Sequence, residues 1–483
     1  MQTKLFKKIS IVSDKIVNNK LMSDTTVAIS SLHLIKNHPE YLKKIEKREI
    51  SYFFKNLLIK IVKIIKVFFQ FSDKGFLPTS KKVKVLFVSH LTNKNQIYDS
   101  NDPYYGPLKK ICNLNKITNF RLLLNHIDIN EGDHNRSLIK KNTQILSRSL
   151  SFKFEFRVLK KKFLELYKLR QLSKNLSDKF SKKILKKAMI SLFDPETTFA
   201  LRTKIQLKNF LSFLKPDIII VTYEGYSWER LCFKAAKEFN KNIKCIGYQH
   251  APVGYNHLSI KKIIKTQHNP DLIWCSNKQS YKILKSSKAL KKIKIVNVGN
   301  LKKKFTESKS SYNKKNYCLV IPEGIYSECL KLFSFTIKCA KENKSIKFIW
   351  RLHPIVKLKK IFKLLDINKN SIPKNIIISS EKNIFNDIKK SKFVLYRGSG
   401  SVIESVIGGN IPLYFKNKEV INIDPLEGYN KKENYINSYS EFLKRINYYS
   451  NNEDKKVFQI SKKIGNLFYE KINRKKIIES LKT

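Results

Sequence analysis

Glu224, His250, Glu323 and His353 each follow directly on a short apolar run, and a fifth such place holds Arg397-Gly398-Ser399-Gly400-Ser401, with Glu404 three residues further on. These residue types could do a small set of things. A carboxylate at the mouth of a cleft can take a proton from a hydroxyl. Histidine and arginine can hold a phosphate. A glycine-serine turn lets a ligand approach the backbone, and the first amides of a following helix attract an anion.

Each candidate has a plainer alternative. In "IWRLHP" (349–354) alternate side chains share a face, so Arg351 and His353 point one way, and Pro354 ends the strand. The pair suits a phosphate; Arg351 alone also reads as a polar strand end in water. Glu404 stands where it could accept both hydroxyls of a ribose, yet Ser401-Val-Ile-Glu404 is also a capping box. Gly408 and Gly409 would close that helix. Glu229 reads as a complement to the dipole of its own helix. In "GYQHAPVGYNH" (247–257), His250 is a candidate base or phosphate ligand, and His257 a structural hydrogen-bonder.

The elements that must position these residues are legible in the rhythm of the chain. Strands are expected at 83–90, 119–127, 216–225, 243–250, 271–277 and 293–300, then at 317–324, 346–354, 375–380, 392–400 and 411–415. Helices are expected at 227–240, 326–342, 401–409 and over about 438–480. Strands alternating with helices imply right-handed crossovers and parallel sheets. The rhythm runs twice, separated by the lysine-rich stretch 301–316. The fold class is therefore α/β, with two facing Rossmann-like domains and a helical N-terminal extension. The expected divisions are 1–80 for the extension, 81–300 for the first domain with a helical insertion at 150–215, 301–316 for the linker and 317–483 for the second domain.

The chain has 483 residues, with 97 Lys and Arg against 38 Asp and Glu, a net charge of +59. Such an excess suits a polyanionic partner, or reflects a drift toward lysine along the whole chain, since the lysines are spread nearly everywhere. No aromatic-interleaved RNA motif and no basic block confined to one face are present, so no nucleic-acid partner is expected. The segment 53–71, "FFKNLLIKIVKIIKVFFQF", sets lysines on one helical face and apolar residues on the other. It either lies on an anionic membrane surface or packs on the protein's own core. Seven scattered cysteines without a C-x-x-C pair point to reduced thiols. No signal-peptide core and no apolar run of spanning length is seen. A cytoplasmic protein, peripheral on the inner face of the cytoplasmic membrane, is expected. No metal-binding motif or carboxylate cluster stands out, so neither metal nor cofactor is expected.

"RLHP" and "RGSGSVIESVIGGNIPLYF" together resemble the donor-binding half of GT-B-fold glycosyltransferases. "VTYEGYSWERL" and "IGYQHAPVGYNH" resemble the acceptor half of bacterial surface-carbohydrate glycosyltransferases, and the layout is similar to that of bacterial sialyltransferases and polysialyltransferases. The likeness covers about 216–415, is weak over 83–215 and is silent on 1–80. It implies that Glu224 is the general base, His353 a donor-phosphate ligand, Ser399 and Ser401 the serine motif and Glu404 the ribose ligand. Arg351, Arg397, Gly398 and Gly400 would complete the donor site, with His250 beside Glu224. Two departures stand out: Ala251 replaces a glycine usual after the histidine, and Tyr223-Glu224-Gly225 carries one carboxylate where sialyltransferases often have two.

The resemblance implies transfer of a sugar from a nucleotide-sugar donor, with CMP-linked nonulosonate or Kdo-like donors favoured, onto a glycan or lipid-linked glycan in lipopolysaccharide or capsule assembly. The transfer would be inverting and metal-independent. A CDP-glycerol-type polyol-phosphate transferase would share the His-Pro and serine motifs. A nucleic-acid-binding protein would account for the charge.

Overall fold

A computed structural model describes residues 2–37, 82–97, 102–127, 142–301 without 265, 316–417 without 355, 422–451 and 463–482, with a few isolated residues besides. The helix expected at 53–71 lies outside them except for Leu58, Ile59 and Val62, and so does 302–315 of the linker.

The first sheet contains β1 (Val85–Leu91), β2 (Asn119–Asn125), β3 (Thr143–Ile145), β4 (Ile218–Thr222), β5 (Lys244–Gln249), β6 (Leu272–Cys275) and β7 (Lys294–Asn297), in the order β3-β2-β1-β4-β5-β6-β7. The second contains β8 (Tyr317–Ile321), β9 (Lys347–Trp350), β10 (Ile376–Ile378), β11 (Phe393–Tyr396), β12 (Ile411–Phe415) and β13 (Tyr435–Ile436), in the order β10-β9-β8-β11-β12-β13. Every pairing in these two orders is parallel. Each order starts at a central strand, runs to one edge and restarts on the other side, which is the Rossmann arrangement. The expected α/β class with two Rossmann-like domains is the observed architecture.

The continuous apolar runs in the strands follow from burial on both faces. In β1 and β4, Leu86, Val88, Ile219 and Val221 enter one core while Val85, Phe87, Ile218 and Ile220 enter the other. The second sheet repeats this, with Cys318, Val320, Phe393 and Leu395 on one side and Leu319, Ile321, Val394 and Tyr396 on the other. All seven cysteines are buried and free.

Two stretches pack differently from the sequence-based division. The N-terminal helices, from Gln2–Asn18 to Ser30–Leu34, share a core with the inserted helices Phe152–Lys174, Lys179–Ser191 and Pro195–Leu214; Val17, Val27, Leu32, Leu185 and Ala200 meet there. They form one helical layer on the first domain. The end of the chain, expected to be helical over about 438–480 and to belong to the second domain, divides between the two domains. Helix Tyr439–Asn451 stays with the second sheet through Phe442 and Ile446. Helix Arg474–Lys482 crosses back, and Ile477 and Leu481 are buried in the first domain's core. Two short strands, β3 and β13, were not anticipated; three and two residues are too few to show a period. No helix among the described residues is long and apolar enough to cross a membrane.

Candidate active site

Ligands of open parallel sheets sit beyond the carboxyl ends of the strands where the order reverses. In the first sheet that point lies between β1 and β4, and in the second between β8 and β11.

At the exit of β4 the chain turns through Glu224-Gly225-Tyr226 into helix Ser227–Phe239. Glu229, expected as a dipole complement, does more. Its carboxylate accepts from the amides of Glu224 (2.9 and 3.0 Å), Gly225 (2.7 Å) and Tyr226 (2.8 Å). Burial, and then the nearby Glu224 carboxylate, push its pKa up. Arg230, fully buried, donates to the carbonyls of Gly225 (3.2 Å), Ser259 (2.8 Å) and Lys262 (2.9 Å) and to Asn269 Oδ1 (2.8 Å). The N-terminal layer holds the same loop, with Ser259 Oγ donating to the His33 carbonyl (2.6 Å) and Ser259 N to Asn37 Oδ1 (3.1 Å).

Gly225 has φ +86, and a Cβ there would stand 2.4 Å from the Ser259 carbonyl carbon and oxygen. Gly225→Ala should therefore cost about 1–3 kcal/mol from backbone strain alone, with a further cost from displacing 259–260. Thermal melting of the purified variant checks this; an unchanged melting temperature would mean that the loop does not pack on the turn.

Glu224 emerges partly exposed, its side chain 30% accessible, with His250 Nε2 3.7 Å from Oε1. His250 follows β5 and packs edge-on to Tyr104, with ring centroids 5.1 Å apart. Burial, and next the Glu224 charge, raise the Tyr104 phenol to about 12, so it stays protonated. His257 behaves as expected: its Nδ1 accepts from the Gly254 amide at 3.1 Å.

Two further histidines, at the ends of expected strands, belong to this neighbourhood. His90 is the penultimate residue of β1 and His126 follows β2. His90 Nδ1 lies 2.9 Å from His126 Nε2, and His90 Nε2 lies 2.9 Å from Thr222 Oγ1. The strand-exit rule that singled out His250 also fits "LFVSH" and "LLLNH".

On the second sheet, β11 delivers Arg397 and the turn Gly398–Ser401, with these four turn residues partly exposed. Glu323, which follows β8, lies against the turn: a Cβ on Gly398 would fall 1.4 Å from Glu323 Oε1. The expected capping box is not formed. Ser401 has helical backbone angles (φ −66, ψ −11) and makes no side-chain cap, while Glu404 accepts from Tyr469 Oη at 3.0 Å. A serine already in the helical region cannot aim its hydroxyl back at its N3 amide. The helix Val402–Ile407 has only six residues, and the amides of Val402 and Ile403 bond the carbonyls of Ser399 and Gly400. Any grip on an anion therefore belongs to residues 398–401 and not to the helix dipole.

Both arginines assigned to the donor site are engaged internally. Arg397 is 1% exposed and forms an ion pair with the fully buried Glu328. Arg351 bonds Asp387 Oδ2 (2.6 Å), Ser379 Oγ (3.3 Å) and the Glu381 carbonyl (3.1 Å). In each case a carboxylate on a neighbouring helix, unseen in the local sequence, takes the charge. β9 ends at Trp350, which stacks on Phe333 with ring centroids 4.2 Å apart, so Arg351 to His353 lie beyond the strand. His353 is exposed to solvent, and desolvation lowers its pKa.

The two constellations meet. A Cβ on Gly400 would lie 3.4 Å from Pro252, two residues after His250. Around this contact Asn256 Nδ2 donates to the Asn422 carbonyl (2.7 Å), Tyr429 Oη donates to Gln279 Oε1 (2.7 Å), and Leu258 packs on Ile423. The crossing segment ties the domains on another side, where the amide of Asn300 donates to the Glu470 carbonyl (3.1 Å) and that of Asn473 to the Val298 carbonyl (2.9 Å). No group of three or more His, Cys, Asp or Glu that could hold a metal exists among the described residues.

The fold and site together define a two-domain Rossmann-type protein with its polar residues at the shared gap. No family model matches the chain, and no curated protein does. Among solved structures, the chain is similar to S. aureus MnaA solved with UDP (11% identity, 83% of this chain and 96% of that chain, TM-score 0.49). It is also similar to the UDP-GlcNAc 2-epimerase of Neisseria meningitidis bound to UDP-GlcNAc (15%, 83% and 100%, 0.45) and to CalG4, the calicheamicin glycosyltransferase (8%, 83% and 98%, 0.46). The fold assigned to the chain stands on its own strand orders.

Proposed function

We propose that the protein is a glycosyltransferase that moves a sugar from a nucleotide-sugar donor to a hydroxyl of a glycan or glycolipid. The observation that carries this reading is the placement of Glu224 at one sheet's switch point, with His250 3.7 Å from it, and of the Gly398–Ser401 turn at the other's, with Gly400 against Pro252. In this reaction the acceptor oxygen bonds the anomeric carbon while the bond from that carbon to the phosphate oxygen breaks. Glu224 takes the acceptor proton. His250, within ion-pair range, steadies the carboxylate. The departing phosphate keeps the electron pair and is held by the amides and hydroxyls of 398–401, with His353 at the rim; such preorganised donors are the usual largest contribution to rate. Glu404, oriented by Tyr469, receives the ribose. Arg351 and Arg397 brace this wall from within. Surface-glycan assembly at the inner face of the membrane is the setting we propose.

A thermal-shift panel of CMP, CDP, UDP and GDP, their sugar conjugates and CDP-glycerol tests the reading. One nucleotide class should raise the melting temperature, because a ligand at 100 times its Kd adds about 2.7 kcal/mol. A response to CDP-glycerol alone would make the protein a polyol-phosphate transferase, and no response to any would remove the nucleotide site. Turnover with the matching sugar conjugate should persist in excess chelator; a complete loss restored by a divalent metal would overturn metal independence.

A further inference from the structure

We propose that a row of rings beside Glu224, formed by Phe199, His126, His90, Trp228, Tyr104 and His250, is the acceptor subsite and takes an uncharged sugar ring. The inference rests on the reading of Glu224 as the base. The rings are contiguous. Centroids lie 5.4 Å apart for His126 and Phe199, 5.1 Å for His90 and His126, 5.1 Å for His90 and Trp228, 4.9 Å for His90 and Tyr104 and 5.1 Å for Tyr104 and His250. None of the six is fully buried, and His126 is exposed. The row starts at the exits of β1 and β2 and ends at His250, 3.7 Å from the Glu224 carboxylate.

A pyranose has an apolar C–H face and a rim of hydroxyls. A wall of aromatic faces carrying a few ring nitrogens and a phenol matches both. Two of its three histidines are also held neutral, although the chain as a whole carries +59. Burial, and then His126, push His90 down to about 3; packing, and then Arg148, lower His126 to about 4. Both rings are therefore neutral near pH 7. Among the described residues, Arg148 acts on His126 at the far end and Glu224 on Tyr104 at the near end, with Asp102 beside Tyr104 already paired to Arg121. An anionic acceptor would bring its charge toward Glu224 at the place where its hydroxyl must be deprotonated. A neutral ring stacked near Tyr104 presents a hydroxyl edge to the base without that repulsion.

The protein carries its own reporter. Of its three tryptophans, Trp274 and Trp350 are fully buried and only Trp228 is partly exposed. Tryptophan emission of the full-length protein is titrated with neutral trisaccharides ending in glucose, galactose, mannose or N-acetylhexosamine, and with hyaluronan and oligosialic acid fragments. At least one neutral sugar should change the emission saturably, and the anionic fragments should not. Trp228→Phe should abolish the signal. His126→Ala should raise the apparent saccharide Kd about tenfold, with nucleotide affinity unchanged in the melting assay. Silence toward every neutral sugar, or a stronger response to the anionic fragments, overturns the proposal. If nucleotides shift the melting temperature but saccharides do not bind, this inference fails alone. If saccharides bind and nucleotides do not, the transferase reading fails and the sugar subsite stands.

Discussion

Glu224→Gln should lower turnover by about 10²–10⁴-fold, the range for removing a general base, while nucleotide affinity stays near wild type. The amide is nearly isosteric and can still accept from neighbours, but it cannot take a proton near neutral pH. The turn that carries it should survive, because Glu229 and Arg230 hold it. The loss should therefore appear in kcat, with unchanged melting behaviour and an unchanged Kd for the nucleotide. Near-normal turnover would take Glu224 out of the proton transfer. A fall in nucleotide affinity as large as the fall in kcat would move it from base to donor ligand. Single-turnover kinetics beside a direct binding titration separate these outcomes.

The second large effect is one of stability. Arg397→Met should destabilise the second domain by about 3–5 kcal/mol, because it strands Glu328 as a buried charge. Lys331 Nζ, 3.3 Å from Glu328 Oε1 but one-third exposed, offers only partial compensation. Arg397→Met combined with Glu328→Met should recover most of the loss, since removing both members of a buried pair leaves nothing unpaired. Urea unfolding of the single and double variants measures this cycle. The same pair decides what Arg397 does. As an internal brace, the double variant retains nucleotide binding. If it is stable but no longer binds, the guanidinium reaches the donor and its assignment as a phosphate ligand returns.

The contrast between the two arginines and the carboxylates shows how far local sequence reaches. A strand-exit position is a local property. It depends on an apolar run, a breaker and a polar residue between them. For that reason Glu224, His250 and the 398–401 turn are legible in the amino-acid order alone, and the same rule applied to β1 and β2 finds His90 and His126. Which way a long, charged side chain turns is not local. Arg351 and Arg397 read as ligands because Asp387 and Glu328, which hold them, lie on helices elsewhere in the chain. The capping box failed for a related reason. S-x-x-E is a pattern of residue types, but a cap also needs an extended backbone at the serine, and the turn holds Ser401 in the helical region.

The periodicity of apolar runs determined the two parallel sheets, because a strand buried on both faces must be apolar throughout and a parallel neighbour requires a crossover helix. Only the tertiary structure decided where the ends of the chain go. Helix Arg474–Lys482 docks on the first domain, and the N-terminal helices join the inserted ones, because an amphipathic helix specifies that it must bury a face and not which core will receive it. It also decided which polar groups meet across the gap. Asn256 and Asn422 are far apart in sequence, and their contact depends on the docking of two completed sheets, which no run of neighbouring residues encodes.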